Sequence, residues 1–247
     1  VPGCTDSYAD NYDETANVDD GSCAGYPDNG DFSLEFDGED DYVGFTNANN
    51  FDIDNEITIT VKLIPNEMKT VSLVDKLPYS SGETGYRINL RADGDIWFQY
   101  GSGESSDVVS TGSGFYSTNE ELIITGVLRD STILELYVNN TLINAGETSR
   151  NYANNSPFEI GRWDPVIYNA AEYFNGNIDE ILIWDTALNT EAILGNNFSG
   201  NDDRLIGSWK FNTGSGDILY DHSGNQNHGT IYGATWSEDV FCEACGC

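Results

Sequence analysis

From Phe32 onward the chain alternates apolar and polar side chains with period two. Phe32, Leu34 and Phe36 are separated by polar neighbours. Ile57-Thr58-Ile59-Thr60-Val61-Lys62-Leu63 carries apolar residues on one face and polar ones on the other, the pattern of a half-buried strand. Tyr86, Ile88 and Leu90 repeat it, Asp93-Gly94 supplies a hairpin turn, and Ile96-Trp97-Phe98-Gln99-Tyr100 returns. The same reading predicts strands over 122–128, 133–138, 141–143, 158–161 and 177–184, with Asn139-Asn140 as a tight turn. One short helix is predicted over 190–194, capped by Asn189 and ended by Gly195. Trp97, Trp184 and Trp209 are placed inward. Many short antiparallel strands with Gly, Asn and Asp turns predict an all-β, antiparallel two-sheet jelly-roll sandwich.

Charge changes the picture at the start of the chain. Val1 to Val61 holds sixteen Asp and Glu and no Lys or Arg, within a 247-residue chain of net charge −32. Carboxylates and amide carbonyls at this density suit calcium, and the alternative is a solvated acidic surface. Such acidity disfavours nucleic-acid backbones and anionic membranes. With 38% apolar residues the chain can bury a core, yet no apolar run approaches the ~20 residues of a membrane span. It begins at Val1 with neither an initiator Met nor a signal peptide, which reads as a processed chain or an excerpt of a longer one.

Residues 1–28 are too few and too polar for an apolar core, and Cys4 and Cys23 bracket them. A disulfide there would contribute about 3 kcal/mol. Asp6, Asp10, Asp13, Asp19 and Asp20, with Asn11 and Asn17, are spaced for a metal-wrapped loop without the EF-hand series. Cys242, Cys245 and Cys247 crowd the last six residues: two of them pair, or the three bind zinc with a fourth ligand. The odd count leaves a thiol that could join another chain, and cysteine usage points to an oxidising, extracellular compartment. Four segments result: an acidic module or linker (1–28), the sandwich (29–200), a trailing strand segment (201–241) and a Cys-rich tail (242–247).

Three stretches carry a family resemblance: Leu34 to Val43, Leu128 to Asn139, and Phe174 to Trp184. Together they resemble laminin-G-like, concanavalin A-like jelly rolls. Gly3-Cys4-Thr5-Asp6 through Asp19-Asp20-Gly21-Ser22-Cys23 is similar to short acidic Cys repeats of secreted bacterial surface proteins. Leu205 to Phe211 and Asp221 to Thr230 resemble a segment that opens such jelly rolls and here follows the closing strand. It either completes this domain's own sheet or offers strands to a neighbouring copy. The resemblance implies a structural calcium where the first and last strands meet, held by Asp37, Asp179 and a carbonyl near Gly38.

Other candidates come from the residues themselves. Glu35, Asp37 and Glu39 spell E-x-D-x-E, the pattern of jelly-roll glucanases. Their position in the first strand and the break at Gly38 argue for a non-catalytic relative. Arg162, Trp163, Tyr168 and Tyr173 form the best ligand-binding candidate, aromatic faces beside polar groups in a surface stretch. His222 and His228 lie in a Gly/Asn loop, read as turn residues. Asn139, Asn154 and Asn197 stand in N-glycosylation sequons, and Ser131 and Thr186 in short O-glycan acceptor patterns. The expected function is a non-catalytic, extracellular, calcium-stabilised structural or adhesive module of a surface protein or filament. Its expected partners are further copies of itself or neighbouring domains, and it can assemble head to tail. The alternatives are a glycan-binding lectin and, behind it, a glycoside hydrolase.

Overall fold

The structure, a computed structural model, describes residues 1–77, 84–101, 106–149, 156–163, 171–195 and 203–238. Tyr168, Asn154, Asn197, Cys242, Cys245 and Cys247 lie outside the described residues.

β1 (Pro2–Gly3) pairs in parallel with β2 (Val18–Asp19) inside the N-terminal module. The sandwich opens with β3 (Phe32–Asp37), β4 (Tyr42–Gly44), β5 (Ile57–Pro65), β6 (Val71–Asp75), β7 (Gly85–Leu90), β8 (Ile96–Gly101) and β9 (Ser106–Ser110). It continues through β10 (Leu122–Arg129), β11 (Ile133–Val138), β12 (Thr141–Glu147), β13 (Glu159–Ile160), β14 (Arg162–Trp163) and β15 (Glu172–Tyr173). The last elements are β16 (Asn175–Trp184), α1 (Thr190–Leu194), β17 (Leu205–Trp209), β18 (Ile218–Leu219), β19 (Gly229–Tyr232) and β20 (Thr235–Glu238).

Two large antiparallel sheets result. The first runs β12-β11-β10-β5-β16-β3-β20, with β17 along the second half of β16. The second runs β18-β19-β4-β13-β6-β7-β8-β9. Alternation drives their packing: Ile57, Ile59, Val61 and Leu63 of the first sheet are fully buried, as are Val43, Val74, Ile88 and Phe98 of the second. Phe51 stacks on Phe158 at 3.9 Å, with Phe45 and Trp209 against them. Fully burying one such ring stabilises the fold by about 3 kcal/mol.

The helix closes part of the outer face of the first sheet. Asn189 Oδ1 accepts the Ala192 N–H at 2.8 Å, capping α1, and Ile193 packs with Val127 and Tyr137. Beneath it Thr58 Oγ1 donates to the Thr186 carbonyl and accepts the Leu188 N–H, both at 2.9 Å.

One expectation is corrected. Trp184 and Trp209 are buried, but Trp97 is not in the core: Ile96, Phe98 and Tyr100 take the inward positions of β8, so Trp97 and Gln99 face outward. For the trailing segment, of which two readings were open, the pairing follows the first. Leu205–Trp209 pairs with β16 of the same chain, β19 pairs with β4 and β20 with β3, so the trailing segment completes both sheets of its own sandwich.

Candidate functional site

The outward positions of the second sheet line up in a polar and aromatic band. Register sets Thr230 and Glu159 on either side of Gly44, then Asp75, Arg87 and Gln99 in turn; Tyr42 stands opposite Tyr232. Their strand neighbours Val43, Ile160, Val74, Ile88 and Phe98 are committed to the core, which fixes these side chains on the other face.

At one end of the band three planar groups form a column. The Tyr42 and Tyr232 rings stack with centroids 4.5 Å apart and planes at 11°. The Arg162 guanidinium lies over Tyr42 at 4.6 Å and reaches Tyr173 at 6.0 Å. Arg162 Nη1 donates to Glu159 Oε1 at 3.2 Å, which holds the guanidinium in place. Gly44 makes the arrangement fit, because a Cβ there would sit 3.3 Å from the Tyr232 ring and 3.4 Å from Tyr42. Burial pushes the Tyr42 phenol above its ordinary value, against the pull of Arg162, so its hydroxyl remains a donor. Beside the column opens a cleft of about 200 Å³, lined by Tyr42, Gly44, Thr46, Glu159, Thr230 and Tyr232 among others. Tyr232 is 46% exposed at its rim.

Further along, β14 and β15 pair antiparallel and pack against β6. Trp163 lies 5.5 Å from the guanidinium of Arg87, which is itself tied to Asp75 through two hydrogen bonds of 2.9 and 3.2 Å. Ser72, Asp75, Arg87 and Asn89 are buried on this stretch. Asn89 Oδ1 and Trp163 Nε1 are buried and find no hydrogen-bond partner among the described residues. At the far end Arg91 covers the Trp97 ring at 4.2 Å, and Trp97 Nε1 donates to Asp95 at 2.6 Å.

Arg162, Trp163 and Tyr173 are thus brought together, and the structure adds Tyr42, Tyr232, Glu159, Arg87 and Asp75 to them. The added residues lie far apart in the chain; the only sequence signal for Tyr42 and Tyr232 is that each alternates with an inward Val or Ile.

The carboxylates divide differently from expectation. Asp37 and Asp179 do not meet: Asp37 stands opposite Asn175 of β16, four residues along that strand from Asp179, or about 13 Å at strand rise. Asp179 instead pairs with Lys62 at 2.7 Å, and the Gly38 carbonyl accepts from Lys69 at 3.0 Å. Asp37 gathers with Asp40 and Asp41, one carboxylate oxygen of each lying within 4.8 Å of the others. Burial, with the charges of Asp37 and Asp40, raises the pKa of Asp41 although it accepts the Asp37 N–H.

The five N-terminal carboxylates belong to no such group among the described residues. Asp6 is buried and accepts from Tyr26, the Tyr8 N–H and His228. His228 Nδ1 accepts the Asp221 N–H, so Nε2 carries the proton donated to Asp6 at 2.6 Å. Asp13 accepts from the Thr15 N–H and hydroxyl, Asp19 from the Gly21 N–H and Gln226, and Asp20 from the Ser22 N–H. Asp10 is exposed, its carboxylate against Gly25. Cys4 and Cys23 are disulfide-bonded.

Glu35 and Asp37 are exposed on β3, and Glu39 lies past the Gly38 turn, its N–H bound to Asp37. Asn139 is exposed in its turn at φ +47, its Oδ1 accepting the Ile123 N–H. The hydroxyls of Ser131 and Thr186 donate to the Asn55 carbonyl and to Glu56.

The family model described as Laminin G 3, concanavalin A-like lectin/glucanases superfamily, matches residues 37–194. The chain belongs to the concanavalin A-like lectin/glucanases superfamily. The match covers β4 through α1, and β17 to β20 complete the superfamily sandwich from outside it. Among curated proteins none matches the chain. A Bacteroides ovatus protein provisionally named as carbohydrate binding superposes with TM-score 0.60 at 17% identity, over 85% of this chain and 60% of its own. The native heptameric SAP-like pentraxin of Limulus polyphemus gives 0.59 at 14%, over 86% of this chain and 97% of its own. The CBM40 of Ruminococcus gnavus IT-sialidase, bound to α2,3-sialyllactose, gives 0.56 at 12%, over 66% and 95%. At these identities the shared property is the fold. No helix among the described residues is long and apolar enough to cross a membrane.

Proposed function

We propose that this chain is a non-catalytic, extracellular glycan-binding module that serves adhesion. The observation that carries the reading is the Arg162–Tyr42–Tyr232 column beside the cleft. A pyranose has an apolar face of C–H groups and an equatorial rim of hydroxyls. The half-exposed Tyr232 ring offers the first a flat surface, while Thr46, Thr230, Glu159 and the Tyr42 hydroxyl offer the second donors and acceptors. Two neighbours in fold, one provisionally named as carbohydrate binding and one bound to a sugar, support the same reading. Glu35, Asp37 and Glu39 do not line the cleft, which favours binding without hydrolysis.

Calcium enters the proposal as a stiffening ion at Asp37, Asp40 and Asp41. Three carboxylates within 4.8 Å fit its preference for hard oxygen ligands. Adhesion would be exerted alongside neighbouring domains or further copies of the chain.

A glycan array followed by calorimetry on the hits tests the central claim. Tyr232→Ala should weaken binding at least about tenfold while leaving the melting temperature unchanged. Equal affinity of wild type and variant for every hit would remove the site.

A further inference from the structure

We infer that the cleft takes the terminal ring of a neutral glycan, and neither the interior of a polysaccharide nor an acidic sugar; this rests on the glycan-binding reading above. Its size is the first reason. About 200 Å³ lies below the ~300–1,000 Å³ of sites for drug-sized ligands and leaves room for a single ring.

Direction is the second. A chain crossing the strands toward the middle of the sheet would pass from the cleft over β6 and β7. That path is closed: the Arg162–Glu159 pair stands at the cleft wall, and the paired β14 and β15 pack against β6. The polar row beyond it is out of reach, with Ser72, Asp75, Arg87 and Asn89 only 0%, 8%, 4% and 3% exposed. Trp163 over Arg87 continues the same wall. The other side of the cleft is Tyr232 on β19, one strand from the sheet edge. Among the described residues the cleft is thus walled on the β6 side and open toward the β19 edge, an arrangement that favours holding a glycan by its end.

Charge is the third. Among the described residues lining the cleft the charged side chain is Glu159, a carboxylate. Both arginines of this end of the band are already engaged, Arg162 with Glu159 and Arg87 bidentately with Asp75. A uronic acid entering the cleft would meet a like charge and the field of a chain of net charge −32, with the nearby guanidiniums already bound.

The test uses the whole chain in calorimetric titrations. The probes are the one- to five-residue oligomers of glucose, galactose, mannose and N-acetylglucosamine, with glucuronic and galacturonic acid as charged counterparts. At least one neutral series should bind, with affinity per molecule changing less than about threefold from two residues to five. The matching uronic acid should bind at least about tenfold more weakly. Gly44→Val, which pushes a side chain toward both rings, should abolish binding, and Arg91→Ala at the far end of the band should leave it unaltered. Affinity that climbs tenfold or more with chain length, uronic acid bound as tightly as its neutral parent, or binding that survives Gly44→Val would each overturn this inference while the glycan-binding function stood. Binding of no probe, neutral or acidic, in calorimetry and on the array alike would overturn that function and this inference with it.

Discussion

Replacing Cys4 and Cys23 together by Ser should free the N-terminal module from the sandwich without unfolding the sandwich itself. The bridge spans a sequence separation of 19, and loop-closure entropy puts its worth at about 3 kcal/mol. Little inside the module replaces it. Its apolar cluster is Cys4, Ala9, Cys23 and Tyr26, and Tyr220 of the sandwich is needed to cover it. It docks through Asp6 with His228 at 2.6 Å, a ring cluster of Tyr8 and Tyr26 with Tyr220, His222 and His228, Gln226 on Asp19 and Cys23, and Asp28 with Lys210 and Asn212. At about 1 kcal/mol per hydrogen bond these cannot hold an unstapled loop of this length against its chain entropy. The sandwich core is a separate cluster that includes none of these residues. Loss of docking should therefore lower its melting temperature by a few degrees, at about 2–4 °C per kcal/mol for a chain of this size. Hydrogen exchange read by mass spectrometry distinguishes the two parts. Residues 1–26 of the double variant should exchange as an unfolded peptide while β5 and β16 keep their protection. Retained protection in the module, or simultaneous loss in β5 and β16, would refute the reasoning.

Acid should act on the same contact. Burial opposes ionisation of Asp6, but hydrogen bonds from His228, the Tyr8 N–H and Tyr26 outweigh it and hold its pKa below the usual value. A depressed carboxylate stabilises the folded state above its unfolded pKa of about 3.9 and loses that contribution as pH falls further. Module protection should thus decline below about pH 4, and Asp6→Asn should remove that step; an identical acid profile in the variant would exclude Asp6 as its origin. Lys76 is fully buried, donating to the Ser156 carbonyl at 2.6 Å and pairing with Asp52 at 2.9 Å. Asp52→Ala should destabilise the fold in thermal or urea unfolding by taking a counter-charge at 2.9 Å from that buried amine, and Lys76→Met distinctly less; equal losses would contradict the ion-pair argument. Millimolar calcium should raise the melting temperature of the wild type and not of Asp41→Asn, and a wild type indifferent to both calcium and EDTA would end the proposal of an ion at Asp37, Asp40 and Asp41.

The strands and helix were legible because each depends on its own residues. The Ile57–Leu63 alternation and the Asn189 and Gly195 stops act within a few positions, and β5 and α1 form there. Phase was harder. Ile96-Trp97-Phe98-Gln99-Tyr100 is apolar at nearly every position, and only the opposing sheet decides that Phe98 goes in and Trp97 out. The Asp37–Asp179 pairing failed for a related reason, since register and not strand adjacency sets which residues meet. Three of the eight residues gathered there, Arg162, Trp163 and Tyr173, were visible in the sequence. Tyr42 and Tyr232 meet only when β19 returns beside β4, a contact no local pattern encodes.

That late return bears on how the chain reaches its native state. Phe32 is paired with Glu238, and Trp209, Phe211, Leu219 and Ile231 fill positions in the central core. During vectorial synthesis neither sheet can close until nearly all of these residues have emerged, and β3 waits with one edge bare. Such distant pairings make folding slow and leave partly emerged chains prone to association. In a chain of this layout the edge of β3 that β20 covers stays unpaired until the final strands arrive.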